Sequence, residues 1–119
     1  MTREEKDFLF KDFCARLPYG VAIECRDEDS RFTCYLTTDI LREIQNNTCY
    51  WEYKPYLFPL SSMTEEQYDE WTNMGYSVTE RWWSMANYHQ IDWFNKNHLD
   101  YRGLIEKGLA IDCTNLNIY

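Results

Sequence analysis

The sequence predicts an α+β domain with a small antiparallel sheet, and three observations carry that prediction. Phe10, Phe13, Cys14 and Leu17 recur at i, i+3, i+4 and i+7, one face of an opening helix. Residues 21–37 then alternate apolar and polar on either side of a polar loop, the pattern of a hairpin with one buried face. A second set of capping signals comes after Ser62 and opens a helical C-terminal half.

The first helix begins with a capping box. Thr2 and Glu5 are spaced so that the hydroxyl meets one early amide and the carboxylate reaches back to another. Asp7 with Lys11, and Asp12 with Arg16, fall at i, i+4 and are read as ion pairs on its polar side. Pro18-Tyr19-Gly20 ends it. In the hairpin, Val21, Ile23 and Cys25 face the core with Phe32, Cys34 and Leu36, and the loop is Asp27 to Ser30. Residues 38–45 fit either a short helix or a continued strand. Asn46-Asn47 is a turn, and residues 48–53 are β-branched and aromatic enough for a third strand. Pro55 and Pro59 force an extended segment over 54–60.

Thr64 and Gln67 repeat the capping-box spacing, with Tyr68 and Trp71 turned inward and Gly75 as the stop. A further helix over 85–97 carries Ala86, His89 and Trp93 at helical steps, with Trp82 before it. Residues 100–105 form a turn or short helical piece, 106–108 a turn, and 109–111 a brief last strand. Phe10, Phe13, Leu17, Ile23, Phe32, Leu36 and Trp93 are expected in one core, and the 119 residues in one domain.

Composition narrows the function classes. Aromatic residues are 18% of the chain, too many to bury in a core this small, so some are expected on a binding face. A net charge of −8 without any run of basic residues argues against direct nucleic-acid binding. Five cysteines, an odd number without a C-x-x-C pair, indicate reduced thiols and a cytoplasmic protein. The charged N-terminus has no apolar signal region, and no stretch nears the roughly 18 apolar residues of a membrane span.

Four groups of residues invite chemistry. His98 and Asp100 could form an acid–base pair, with Tyr101 beside them and Arg102 clamping an anion. The same spacing serves equally to cap a turn. His89 and His98 with Asp92 or Glu106 fit no recognised metal spacing, so neither metal nor cofactor is assigned. Ser61, Ser62 and Thr64 at a helix start could meet an anion, but ordinary capping accounts for them. Adjacent Trp82 and Trp83 cannot both pack on one surface from a helix, which turns one toward a neighbour or a partner.

Two long words carry a resemblance. Lys54-Pro55-Tyr56-Leu57-Phe58-Pro59-Leu60-Ser61-Ser62-Met63-Thr64-Glu65-Glu66 is one. The second is Asp92-Trp93-Phe94-Asn95 with His98-Leu99-Asp100-Tyr101-Arg102-Gly103-Leu104-Ile105-Glu106-Lys107-Gly108-Leu109-Ala110. Together they resemble a family of small hypothetical proteins encoded by gut anaerobic bacteria, their prophages and mobile elements. The resemblance implies an accessory protein of bacteria or phage and assigns no activity.

The sequence therefore points first to a non-enzymatic accessory protein that binds another protein through an acidic, aromatic surface, with Trp82, Trp83, His98, Asp100, Tyr101 and Arg102 as binding residues. No catalytic residue is assigned. A small enzyme or nucleotide-binding regulator using Asp100, Arg102 and His98 is the first alternative. An acidic DNA mimic that blocks a nucleic-acid-binding protein is the second.

Overall fold

The structure, a computed structural model, describes residues 2–46, 48, 51–74 and 88–119. Helix α1 spans Arg3–Arg16 and opens with the expected box: Glu5 N donates to Thr2 Oγ1 at 3.1 Å, and Thr2 N to Glu5 Oε1 at 2.8 Å. Its buried face is Leu9, Asp12, Phe13 and Arg16, while Cys14 is exposed and Phe10 only half-buried. The apolar stripe is thus rotated from the one the spacing suggests. Asp12 and Arg16, expected on the polar side, lie inside.

A 3-10 turn at Leu17–Tyr19 ends at Gly20, whose φ of +68° is left-handed backbone that glycine adopts without strain. Strand β1 (Ala22–Arg26) then pairs antiparallel with β2 (Arg31–Tyr35), Ile23 opposite Cys34 and Cys25 opposite Phe32. Leu36 reaches the core as expected. Phe32 does not: it sits at the hairpin tip, 46% exposed, with its ring against the edge of Trp51. Residues Thr38–Gln45 resolve as helix α2, capped where the Thr37 hydroxyl accepts from Ile40 N. Its Ile40, Leu41 and Ile44 pack on the core.

The third strand lies later than the β-branched run suggests. Strand β3 is Glu52–Pro59 and includes both prolines. Main-chain groups of successive strand residues point to opposite edges. Leu36 N donates to Val21 O and Asp27 N to Ser30 O, so odd-numbered β1 residues bond β2 and even-numbered ones bond β3. In the Ile23–Pro55 pair the proline ring therefore faces away from β1, and no ladder bond is lost. Beyond Pro55, β3 changes partners. Tyr56 and Leu57 pair parallel with β5 (Ile111–Asp112), and Phe58 and Pro59 parallel with β4 (Leu99–Asp100). The sheet is mixed, antiparallel through β2, β1 and β3, with two short parallel additions.

Between the β1 and β4 pairings a side chain takes the place of a ladder bond. Tyr119 Oη accepts from Ala22 N at 2.8 Å and donates to Tyr56 O at 2.8 Å. Ala22 and Tyr56 are where the β1–β3 ladder would continue. The hydroxyl wedges the two strands apart there.

After a 3-10 turn at Leu60–Ser62, helix α3 (Glu65–Thr72) repeats the capping box with Thr64 and Gln67. Trp71 is buried and Tyr68 half-buried; Gly75 and residues 82–87 lie outside the described residues. Helix α4 (Tyr88–Lys96) buries Gln90, Trp93, Phe94 and Asn95 but exposes His89, which the spacing puts on the inner stripe. Two main clusters result. Leu9, Phe13, Val21, Ile23, Leu57 and Leu104 lie between the first two helices and the sheet. Trp71, Trp93, Phe94 and Leu99 form the second. Trp93 thus belongs to a different cluster from Phe13 and Ile23. No helix among the described residues is long and apolar enough to cross a membrane.

Candidate functional site

The turn after α4 divides the four expected binding residues: His98 meets Tyr119, Asp100 closes its own turn, and Tyr101 goes with Arg102 to α1. His98 itself has φ +60°, a left-handed conformation costing a residue with a Cβ about 1–2 kcal/mol. That backbone turn separates His98 from Asp100 and Arg102. Its ring stacks flat on Tyr119, centroids 3.6 Å apart and planes within 7°. Nδ1 is sealed from solvent with no hydrogen-bond partner among the described residues. Burial first, and the nearby charge of Arg16 second, pull the imidazole down to about 4, so it is neutral across the physiological range.

Asp100 is not paired with His98. Its carboxylate is buried and accepts from Leu104 N and Ile105 N, both at 2.9 Å, which closes the turn at Gly103, φ +75°. Both oxygens are committed to structure. Arg102 turns back to α1, where its Nε lies 3.2 Å from Asp12 Oδ1 without the alignment of a hydrogen bond. Arg16 Nε donates to Asp12 Oδ2 at 2.7 Å, and its Nη2 donates to Leu99 O at 2.7 Å. The Tyr101 ring lies beside both guanidinium carbons, 5.4 Å from that of Arg16 and 5.0 Å from that of Arg102. Two arginines therefore share one buried carboxylate, with aromatic contact for the surplus charge. The sequence gives no local signal for this, because Asp12 and Arg16 look like any exposed i, i+4 pair.

The other expectations place simply. Trp82 and Trp83 lie outside the described residues. Ser62 Oγ donates to Pro59 O and Thr64 caps α3, so those two hydroxyls serve the backbone, while Ser61 is exposed. Among the described residues, no group of three or more His, Cys, Asp or Glu side chains gathers as a metal cage.

Among the described residues, two surface features bear on binding. One is an open cleft of about 450 Å³ beside the His98–Tyr119 stack, where Phe58, Gln67, Lys96 and Asn97 also line the wall. The other is the outer edge of β2. Among the described residues β2 pairs only with β1, and by the alternation of main-chain groups the N–H and C=O of Arg31, Thr33 and Tyr35 face away from it. Tyr35 is 60% exposed, and the acidic loop Asp27, Glu28 and Asp29 adjoins the strand.

Comparison with family models, with curated proteins and with solved structures found no match for this chain.

Proposed function

We propose that this chain is a non-enzymatic accessory protein of the cytoplasm that binds another protein along the β2 edge, through an aromatic and acidic surface. The row of main-chain groups at Arg31, Thr33 and Tyr35, open among the described residues, carries the reading. A strand edge of this kind accepts an extended segment by main-chain hydrogen bonding. Exposed Phe32 and Tyr35 supply apolar anchors, and Asp27, Glu28, Asp29 and Glu52 favour a segment with basic side chains. The enzyme alternative has less support: both Asp100 oxygens hold turn amides and Arg102 faces Asp12.

Capture from a native host lysate, with wild type and Tyr35→Pro as bait, tests the reading. The Tyr35 N–H faces outward, so proline there removes no β1–β2 bond but blocks strand addition. A stoichiometric protein retained by wild type and lost with Tyr35→Pro, at unchanged melting behaviour, is the expected result. Equal capture by both baits would defeat it. A basic nuclease or regulator captured equally well by both baits would favour the DNA-mimic alternative, and a co-purifying nucleotide without any protein the enzyme alternative.

A further inference from the structure

The cleft beside His98 has a composition unlike the rest of the chain. The chain carries 20 acidic and 12 basic residues, yet among the described residues no Asp or Glu lines this wall. Its polar groups are not spent alike. Ser62 Oγ donates to Pro59 O and Thr114 Oγ1 to Asp112, so both hydroxyl protons are used. Gln67 uses its carbonyl oxygen to accept from Thr64 N, which leaves its amide NH₂. Asn97 Nδ2 spends one proton on Trp93 O and keeps the other. Lys96 is exposed and has no carboxylate partner among the described residues.

His98 adds a ring that carries no charge across the physiological range. What the wall offers an anion is one cation and the amide protons of Gln67 and Asn97, beside the hydroxyl and carbonyl oxygens of Ser62, Thr114 and Asn97. Its apolar part is Leu99 and a run of rings: Phe58 lies 5.9 Å from Tyr119, which also stacks on the imidazole. A left-handed histidine held against an aromatic ring is the kind of strain that structures keep at ligand sites.

We propose that this cleft binds a small aromatic carboxylate, its carboxylate held by Lys96 with the Gln67 amide and its ring packed beside Phe58 and the His98–Tyr119 stack. The cleft volume lies within the range of small-molecule sites. Charge-assisted hydrogen bonds fix the anionic end, and the rings exclude water at the other.

The test is an amide-shift NMR titration of the full chain with naphthalene-2-carboxylate as probe. A probe of this size at ordinary ligand efficiency should saturate with a Kd of about 1 mM, shifting the amides of Gln67, Asn97 and His98. Lys96→Gln, an exposed change that leaves the fold alone, should weaken binding by about fivefold, and so should replacing the probe by neutral 2-naphthalenemethanol. Lys107→Gln, away from the cleft, should change nothing. Absence of saturable shifts, or equal affinity in Lys96→Gln, would overturn the proposal. Inorganic phosphate binding as tightly as the naphthoate would overturn its aromatic half.

Discussion

Arg16 Nε donates to Asp12 Oδ2 at 2.7 Å within one turn of α1, and neither side chain reaches solvent. Removing Asp12 strands the fully buried Arg16, whereas removing Arg16 leaves Asp12 with Arg102 3.2 Å away. Asp12→Leu is therefore expected to cost about 3–5 kcal/mol in reversible denaturant melts. Replacing both, with Arg16→Met added, should recover much of that loss, because desolvation nearly cancels the attraction in a buried pair and Arg102, partly exposed, can turn to solvent. A double variant as unstable as the single one would show that the pair is worth more than its apolar replacement.

The turn at 100–105 separates a capping role from a backbone role. Asp100→Ala leaves the buried Leu104 N–H and the Ile105 N–H without acceptors and should cost about 1–3 kcal/mol. At Gly103 an added Cβ meets nothing within 4 Å, so Gly103→Ala carries only the conformational cost of φ +75°, about 1 kcal/mol. Thermal melts that rank these two variants in the reverse order would refute the assignment.

Thiol reactivity should follow burial. Burial, and then the Cys34 thiol 2.8 Å away, push Cys25 up to about 12, and burial pushes Cys113 up to about 11. Cys14 is exposed. At about pH 8, iodoacetamide should label Cys14 in the native protein well before Cys25 and Cys113. Denatured without reductant, freshly isolated protein should label at all five cysteines. Because the folded thiols hold their protons more tightly than in the unfolded chain, their stabilisation is complete below about pH 9 and is lost as pH rises toward 11 and 12. Labelling of only three thiols would show a disulfide.

His98 has the opposite sign. Its imidazole binds a proton less readily when folded, so its contribution to stability is complete above pH 6.5 and is lost as pH falls through about 4. His98→Asn keeps a residue that accepts positive φ and removes the titration. Melts at about pH 7 and about pH 5 should differ less for the variant than for wild type. An equal difference would place the acid sensitivity elsewhere.

The α+β class, the capping boxes at Thr2 and Thr64 and the β1–β2 pairing were legible because each rests on local spacing. The misreadings share a physical cause. Asp12 and Arg16 are buried only because Leu99, Tyr101 and Arg102 return from the far end of the chain to satisfy them. Pro55 sits inside a strand because its ring falls on the side away from β1, which depends on register and not on composition. His89 and Gln90 are neighbours on α4, and the polar one turns inward because Gln90 exchanges hydrogen bonds with the Trp71 main chain and ring nitrogen. His98 could be singled out as polar and adjacent to Asp100, but its stack on Tyr119 has no signature in either segment. Lys96, Gln67 and Tyr119 were missed as cleft residues for the same reason.

The Tyr119 wedge has a kinetic meaning. Its bond to Ala22 closes a separation of 97 residues, among the longest a chain of this length can make. Contacts of that span form after nearer ones have collapsed, since the loop must be closed before the bond repays it. The antiparallel β1–β3 pairing, closed across β2 and α2, can assemble before residue 119 arrives, and the hydroxyl then locks it. Tyr119→Phe should accordingly leave the folding limb of the chevron nearly unmoved and act on the other limb, raising the unfolding rate by about fivefold for each 1 kcal/mol removed. The wedge acts as a latch on the finished sheet and not as a guide to its making.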